Sequence, residues 1–156
     1  MKTSRSERGQ SLVEFAISLV VILFLLAGAV ELGLALFEYI QLRDAAQEGA
    51  VYGSICPIPD KIENRVRNHS SSPVDLSVKS GAKAVTVVVQ GREGTTSTPK
   101  DINLVKTGDG VYVEVSYNHL IFMPFANIFT SSNTITIRAS VINTVLDNDK
   151  KKSSCQ

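Results

Sequence analysis

The chain has 156 residues, of which 44% are hydrophobic and 20% are charged, and its formal net charge is +1. This length accommodates one modest domain together with an anchor, and it is too short for two full domains. A nearly neutral chain provides no electrostatic basis for binding nucleic acid. The apolar residues are distributed unevenly, and their placement carries most of the information.

A short basic segment opens the chain and ends at Gly9. It contains three bases and one acid: Lys2, Arg5, Arg8 and Glu7. Residues 15–30 then carry no charge, and the wider segment 12–37 is interrupted only by Glu14 and Glu31. A membrane span needs about 20 predominantly apolar residues, so the sequence predicts one transmembrane helix. The preceding bases place the N-terminus in the cytoplasm and the C-terminal part outside it.

Glu14 stands at the start of the apolar segment, five positions past Gly9. A charge inside a bilayer costs roughly 2.5–3.5 kcal/mol on insertion scales, so this carboxylate requires a functional reason. The sequence GQSLVEF resembles the start of type IV prepilins, in which a prepilin peptidase cuts after the glycine. The resemblance implies processing between Gly9 and Gln10, and an assembly role for Glu14 and Phe15.

Within the pilin superfamily, the chain resembles TadE-like proteins of the tight-adherence (Tad) pilus system. Three segments carry the resemblance: GQSLVEFAISLVVILFLLAGAVELG at the start, QLRDAAQEGAVYGS after the membrane segment, and VYVEVSYNHLIFMPF followed by TITIRASVI. Val51 departs from the pattern, because relatives often show an arginine there. The resemblance implies a minor pilin or pseudopilin that serves surface adhesion and biofilm formation. Its implied partners are a prepilin peptidase, other pilins or pseudopilins and the Tad assembly machinery.

Two other interpretations of the N-terminus stay open. The segment can be a plain signal anchor that is never cut. Alternatively, Ala27-Gly28-Ala29 fits the A-x-A pattern of ordinary signal peptides, and a cut after Ala29 would release a domain that binds an external ligand through residues 91–110 and 119–129. Both alternatives leave Glu14 unexplained, so we favour the prepilin interpretation.

No proline interrupts residues 11–54, and the sequence predicts one helix over them, about 66 Å long at 1.5 Å per residue. A stripe of mostly small residues along its outer half predicts close packing against another element: Leu42, Ala45, Ala46, Gly49, Ala50 and Gly53. Pro57 restricts Cys56 and ends the helix. We therefore divide the chain into a leader (1–9), a long helix (10–55, with the span at about 12–37) and an outer domain (56–156).

The outer domain begins with a short predicted helix at 59–69 and continues with strands. Apolar and polar residues alternate in three later segments, and residues 74–79 predict a further strand. The apolar rows are Val85, Val87 and Val89; Val111, Val113, Val115 and Tyr117; and Ile135, Ile137, Ala139 and Val141. We expect an α+β fold in which a small antiparallel sheet packs its apolar face on the outer half of the long helix.

Two segments do not fit this scheme. Residues 91–110 are rich in turn-forming residues, and a loop of this length is usually functional or mobile. Residues 119–129 are very apolar and either cap the core or form an exposed contact surface; we favour capping. The residues that would form the contact surface are Phe122, Met123, Pro124 and Phe125.

The remaining candidate residues are cysteines, glutamates and histidines. Cys56 and Cys155 both fall in the exported part, where an oxidising compartment favours a disulfide between them. Glu31 and Glu38 lie seven positions apart on one helix face. They are either solvated, which we favour, or paired with bases of another subunit.

His69 and His119 are isolated in the sequence and lack the spacing of metal ligands. No catalytic or phosphate-binding motif is present in the sequence. We therefore expect no enzymatic activity, no metal and no cofactor.

Overall fold

A computed structural model describes residues 5–94, 98–122, 133–147 and 155. Within them the chain forms two α-helices, four β-strands and one short 3₁₀-helix. Their bounds are α1 Arg5–Ile55, α2 Pro59–Arg67, β1 Val85–Arg92, β2 Pro99–Lys100, the 3₁₀-helix Ile102–Leu104, β3 Gly110–Leu120 and β4 Thr134–Thr144. The predicted α+β fold, a long helix followed by a small antiparallel sheet, is confirmed.

Helix α1 is one continuous element of 51 residues, which corresponds to a length of about 76 Å. It ends at Ile55, where the N–H of Cys56 still donates to the carbonyl of Tyr52 at 2.9 Å. Pro57 follows and disfavours helical geometry at Cys56. Helix α2 begins two residues later with Pro59 in its first turn, a position where the missing N–H costs nothing.

The four strands form one antiparallel sheet in the order β2-β1-β3-β4. The register pairs Val87 with Val115 and Val115 with Ala139, so the predicted apolar rows lie side by side on one face. Val111, Val113 and Val115 in the central strand β3 are fully buried. This face packs on the outer half of α1, as the alternation predicts.

The small-residue stripe of α1 lies against this face and against α2. Leu42, Ala45 and Ala46 are completely buried. A Cβ atom added at Gly53 would lie 2.8 Å from Cγ1 of Val111, and one added at Gly49 would overlap Cγ2 of Val66. The backbone of α1 therefore approaches its neighbours as closely as it does because glycines occupy these two positions.

The predicted strand at 74–79 is wrong, because Val74 and Leu76 are buried within turns. The buried side chain of Gln41 donates to the Val74 carbonyl at 2.8 Å and accepts from its N–H at 2.9 Å. The Asp75 carboxylate accepts from the N–H of Ser77 at 3.0 Å. Side chains thus satisfy the backbone groups that a strand would have paired, and β2 provides the fourth strand instead.

The expectation that residues 91–110 form one long loop is also wrong for the described residues, several of which lie in strands or in the 3₁₀-helix. Strand β2 pairs with β1, and the 3₁₀-helix beyond it is capped by Asp101, whose side chain accepts from the N–H of Asn103. Ile102 and Val105 are buried in the core. These two buried apolar side chains anchor the described part of this polar segment against the sheet.

Candidate functional site

The predicted processing and assembly residues lie close together in an exposed stretch of α1. Gly9, Gln10, Glu14 and Phe15 are all exposed within regular helix. The side chain of Gln10 donates to Oε1 of Glu14 at 3.3 Å, one helical turn away. Residues four apart on a helix are neighbours, so the backbone nitrogen of Gln10 and the Glu14 carboxylate lie about 6 Å apart along the axis.

The apolar segment that follows this motif is exposed on every side. Phe15, Leu25 and Leu32 are 68%, 69% and 73% exposed, respectively. Among the described residues, α1 is the one helix that is long and apolar enough to cross a membrane, and its most apolar stretch contributes nothing to the core. An apolar surface of this extent has no favourable environment in water.

At the outer end of that segment, His119 lies between Glu31 and Glu38. Its Nε2 is 2.8 Å from Oε1 of Glu31 and its Nδ1 is 2.7 Å from Oε2 of Glu38. The backbone N–H of Phe122 also donates to Oε1 of Glu31, at 3.2 Å. The imidazole is 5% exposed, and the two carboxylate side chains are 15% and 14% exposed. We call Glu31, Glu38 and His119 the carboxylate–histidine triad.

The geometry of the triad favours a protonated imidazole. A neutral ring can donate from one nitrogen only, whereas an imidazolium donates from both, and here each nitrogen faces a carboxylate oxygen. Burial by itself favours the neutral ring, but the hydrogen bonds and negative charges of Glu31 and Glu38 outweigh it, so the pKa of His119 is raised above its ordinary value of 6.5. The triad therefore joins the end of β3 to α1 through two charge-assisted hydrogen bonds.

The triad corrects one sequence-based expectation. Glu31 and Glu38, which we expected to be solvated, are mostly shielded from solvent and hydrogen-bonded to His119. One signal was available: His119 continues the alternation of Val113, Val115 and Tyr117, which places it on the buried face of β3. What the sequence does not state is that β3 runs antiparallel to α1, which brings its last residues to the level of these glutamates.

Cys56 and Cys155 are joined by a disulfide, with Cα atoms 5.6 Å apart. The bond closes a loop that contains nearly the whole outer domain, and both cysteines are buried. It links the residue that follows α1 to the penultimate residue of the chain. Its position therefore makes it a covalent support for the outer domain and places it far from the N-terminal motif.

The predicted contact surface is only partly described. Phe122 is 78% exposed, so capping of the core, which we favoured, is wrong for this residue. Met123, Pro124 and Phe125 lie outside the described residues. In the part of the chain that the structure does describe, no cluster of histidines, cysteines and carboxylates is placed to hold a metal ion.

Comparison with known proteins adds one finding. The family model of TadE-like proteins matches residues 9–51, which include the predicted processing residues, the apolar segment and most of the buried stripe of α1. No curated protein matches the chain significantly. No solved structure matches it significantly either.

Proposed function

We propose that this chain, whose residues 9–51 match the TadE-like family, is a minor pilin or pseudopilin that acts in the assembly of a Tad pilus. The observation that carries the proposal is the combination of that match with an exposed apolar helix that begins at a glutamate five residues past Gly9. In this proposal a prepilin peptidase cuts between Gly9 and Gln10. The role is structural, and the chain performs no catalysis.

The length of the apolar segment and the bases that precede it support a membrane anchor whose N-terminus lies in the cytoplasm. Residues 12–30 form 19 helical positions, or about 28 Å, which matches a hydrocarbon thickness of about 30 Å. Three bases precede this stretch, as in segments whose N-terminus stays in the cytoplasm. Glu14 then lies near the inner boundary of the hydrocarbon, and Glu31 lies near the outer one.

Glu14 would guide a subunit into the assembly through a charge pair. A carboxylate in lipid must be protonated or find a partner. Cleavage after Gly9 creates a new amino group on Gln10, and the Glu14 carboxylate of a neighbouring subunit can neutralise it. Cyclisation of the N-terminal glutamine would remove this positive charge, so the pair requires that Gln10 stay open.

The outer domain would provide the contacts with other pilus components on the far side of the membrane. Its sheet is attached to α1 by the small-residue stripe, by the disulfide and by the carboxylate–histidine triad. These three attachments make the sheet and the outer half of α1 one unit. A subunit drawn into a pilus by its helix would therefore carry its outer domain in a fixed orientation.

The test of processing is the intact mass of the protein purified from membranes. A mature chain that begins at Gln10 supports the proposal. Gly9→Leu should leave the leader in place, whereas Ala29→Leu, which blocks ordinary signal peptidase, should leave the cut at Gln10 unchanged. A mature chain that starts at Val30, or a full-length chain from Met1, would contradict the proposal.

The test of the assembly role compares Glu14→Ala with Asp44→Ala in cells that make the pilus. Both substitutions remove one exposed acid from α1, but only Glu14 lies in the proposed span. We expect the Glu14 variant to be processed and its outer domain to fold, while the number of pili per cell falls sharply. Unchanged piliation in the Glu14 variant would rule out the charge-pair mechanism.

A further inference from the structure

Exposed apolar side chains lie on both faces of the sheet at the end where β3 finishes and β4 begins. Leu120, Phe122 and Ile135 are 37%, 78% and 51% exposed, respectively. Several large exposed apolar side chains in one region usually mark a contact. We call these three residues the apolar tip.

The sequence around the apolar tip carries no charge over a long stretch. Residues 120–137 contain no acid, base or histidine. The opposite end of the sheet is different, since Lys100 and Asp109 form an ion pair there at 2.6 Å. A surface that faced water at the tip would be expected to carry charged residues. The difference in charge between the two ends of the sheet therefore indicates that they have different surroundings.

The triad fixes the height of the apolar tip relative to α1. The N–H of Phe122 donates to Glu31 at 3.2 Å, and His119 is bonded to the same carboxylate. The tip therefore lies at the level of Glu31 along the helix. Exposed apolar residues of α1 continue outward beyond Glu31 through Phe37, which is 59% exposed, and on to Ile40, which is 47% exposed. Phe37 lies six residues beyond Glu31. Those six residues correspond to about 9 Å.

We infer that the apolar tip is immersed in the outer interfacial layer of the same bilayer that α1 crosses, which gives the chain a second membrane contact. The inference rests on the membrane-anchoring part of the proposed function. A bilayer of about 40–45 Å has a hydrocarbon core of about 30 Å, which leaves an interfacial layer of about 5–8 Å on each side. The proposed span places Glu31 near the outer boundary of the hydrocarbon, so a tip at the level of Glu31 lies at the inner edge of this layer.

The bonding of the polar groups at the tip matches a lipid environment. Lipid tails cannot hydrogen-bond, so backbone groups that approach them must be paired within the protein. Here Leu120 pairs with Thr134 in the strand register, and the N–H of Ile121 donates to the carbonyl of Asn133 at 2.9 Å. The imidazole of His119 is bonded at both nitrogens. The apolar tip is also continuous with the exposed apolar surface of α1, and this continuity favours lipid over a protein partner as its occupant.

A second membrane contact would fix the orientation of the outer domain. One helix leaves a domain free to rotate about the helix axis and to tilt. The apolar tip adds a point of attachment beside the helix, so the sheet would stand on the membrane with its charged end outward. The carboxylate–histidine triad then gives both acids at this depth a hydrogen-bonded partner, and the imidazolium offsets one of their two negative charges.

The experiment uses tryptophan fluorescence, because the chain contains no tryptophan. Phe122→Trp is compared with Leu146→Trp, a residue 70% exposed whose N–H donates to the carbonyl of Ser54, about 35 Å along α1 from Glu31. Phe24→Trp reports on the anchor itself. Each full chain is reconstituted in phosphatidylcholine vesicles whose acyl chains are unmodified or brominated close to the headgroup. Both leaflets carry bromine, so the direction of insertion does not affect the result.

We expect bromine to quench the fluorescence of the Phe24 and Phe122 variants at least twofold and to leave the Leu146 variant unchanged. Ile135→Trp repeats the measurement at a second position of the apolar tip, in case the first variant folds poorly. Quenching at Phe24 without quenching at Phe122 and Ile135 would overturn the inference and leave the anchor intact. No quenching at Phe24 would contradict the anchor itself.

A protein occupant would give a different pattern. If neither bromine nor aqueous acrylamide quenched the fluorescence of the Phe122→Trp variant, protein and not lipid would cover the apolar tip. That outcome would also overturn the inference.

Discussion

The two halves of α1 belong to one uninterrupted helix, yet they have different surroundings. Residues 12–40 are exposed over most of their apolar surface, whereas Leu42, Ala45 and Ala50 in the outer half are completely buried. The first half is apolar on all sides, and the second is apolar on one face only. One continuous helix is thus suited to lipid where it is hydrophobic on all sides, and suited to packing on a sheet where it presents a stripe of small residues.

The boundary between the halves is marked by charge. Charged Glu31 and Glu38 would be unfavourable in an apolar helix, but His119 of β3 forms a hydrogen bond with each of them and offsets part of their charge. The outer domain thus contacts α1 at Glu31, the first acid after the uncharged residues 15–30. Substitutions that perturb one half of α1 and leave the other unchanged test this difference.

The largest effect is expected from the disulfide. Cys155→Ser should lower the free energy of unfolding of the outer domain by about 4–5 kcal/mol, because a cross-link over a loop of about 100 residues restricts the unfolded chain by about that amount. The measurement is guanidinium denaturation of the full chain in detergent micelles, followed by the near-ultraviolet circular dichroism of the tyrosines. The helical signal of the membrane half should persist through this transition. Loss of both signals together would show that the two halves unfold as one unit.

The next largest effect is expected at the boundary. His119→Ala removes the shared partner of two partly buried carboxylates, and breaking a buried charge pair costs up to about 3–5 kcal/mol. His69→Ala is the matched control, because His69 is exposed and its loss should change the unfolding free energy by less than about 0.5 kcal/mol. Equal effects of the two substitutions would show that the triad does not hold β3 to α1.

The contribution of His119 should also depend on pH, with a sign that follows from its raised pKa. Glu31 and Glu38 face the ring from α1, and Tyr117 lies near Glu38 on the same strand as His119. A group whose pKa is higher in the folded state stabilises that state fully below its unfolded pKa of about 6.5 and loses this effect as the pH rises through the folded value. The difference in unfolding free energy between the wild type and His119→Gln should therefore shrink as the pH rises above about 6.5. A difference that grows with pH would contradict the protonated triad.

Much of the fold follows from local patterns in the sequence. The uniform apolar run, the small-residue stripe and the three alternating rows each have a distinct period, and each predicts its element and its buried face. The predicted strand at 74–79 is absent from the structure, although its residues alternate. The side chain of Gln41, which is distant in the sequence, forms hydrogen bonds with the backbone groups of Val74. The triad is missed for a similar reason. A contact between residues 88 positions apart depends on the direction in which β3 crosses α1, and no local period encodes that direction.

A pair of glycine substitutions separates the two halves most directly. Gly33→Ala and Gly49→Ala raise helix propensity by the same amount, about 1 kcal/mol. At Gly33 the added methyl group meets nothing within 4 Å, whereas at Gly49 it overlaps Val66. Overpacking costs about 1–3 kcal/mol, so Gly49→Ala should destabilise the outer domain by up to about 2 kcal/mol, and Gly33→Ala should not. Denaturation of the two variants in the same micelles checks this, and equal stabilities would show that α2 yields to the methyl group without cost.

The smallest effect is expected on the water-facing side of the outer half. Nε of Arg65 in α2 and its Nη2 both lie 2.7 Å from Oε1 of Glu48 in α1, but the two side chains are 57% and 39% exposed. Exposed ion pairs contribute about 0.2–1 kcal/mol, so Glu48→Ala should shift the unfolding free energy by less than Gly49→Ala, although the two positions are adjacent. Raising the salt concentration should remove most of the remaining effect, since screening weakens surface pairs. An effect of Glu48→Ala that exceeds that of Gly49→Ala would mean that charge, and not close packing of small residues, attaches the outer half of α1 to its domain.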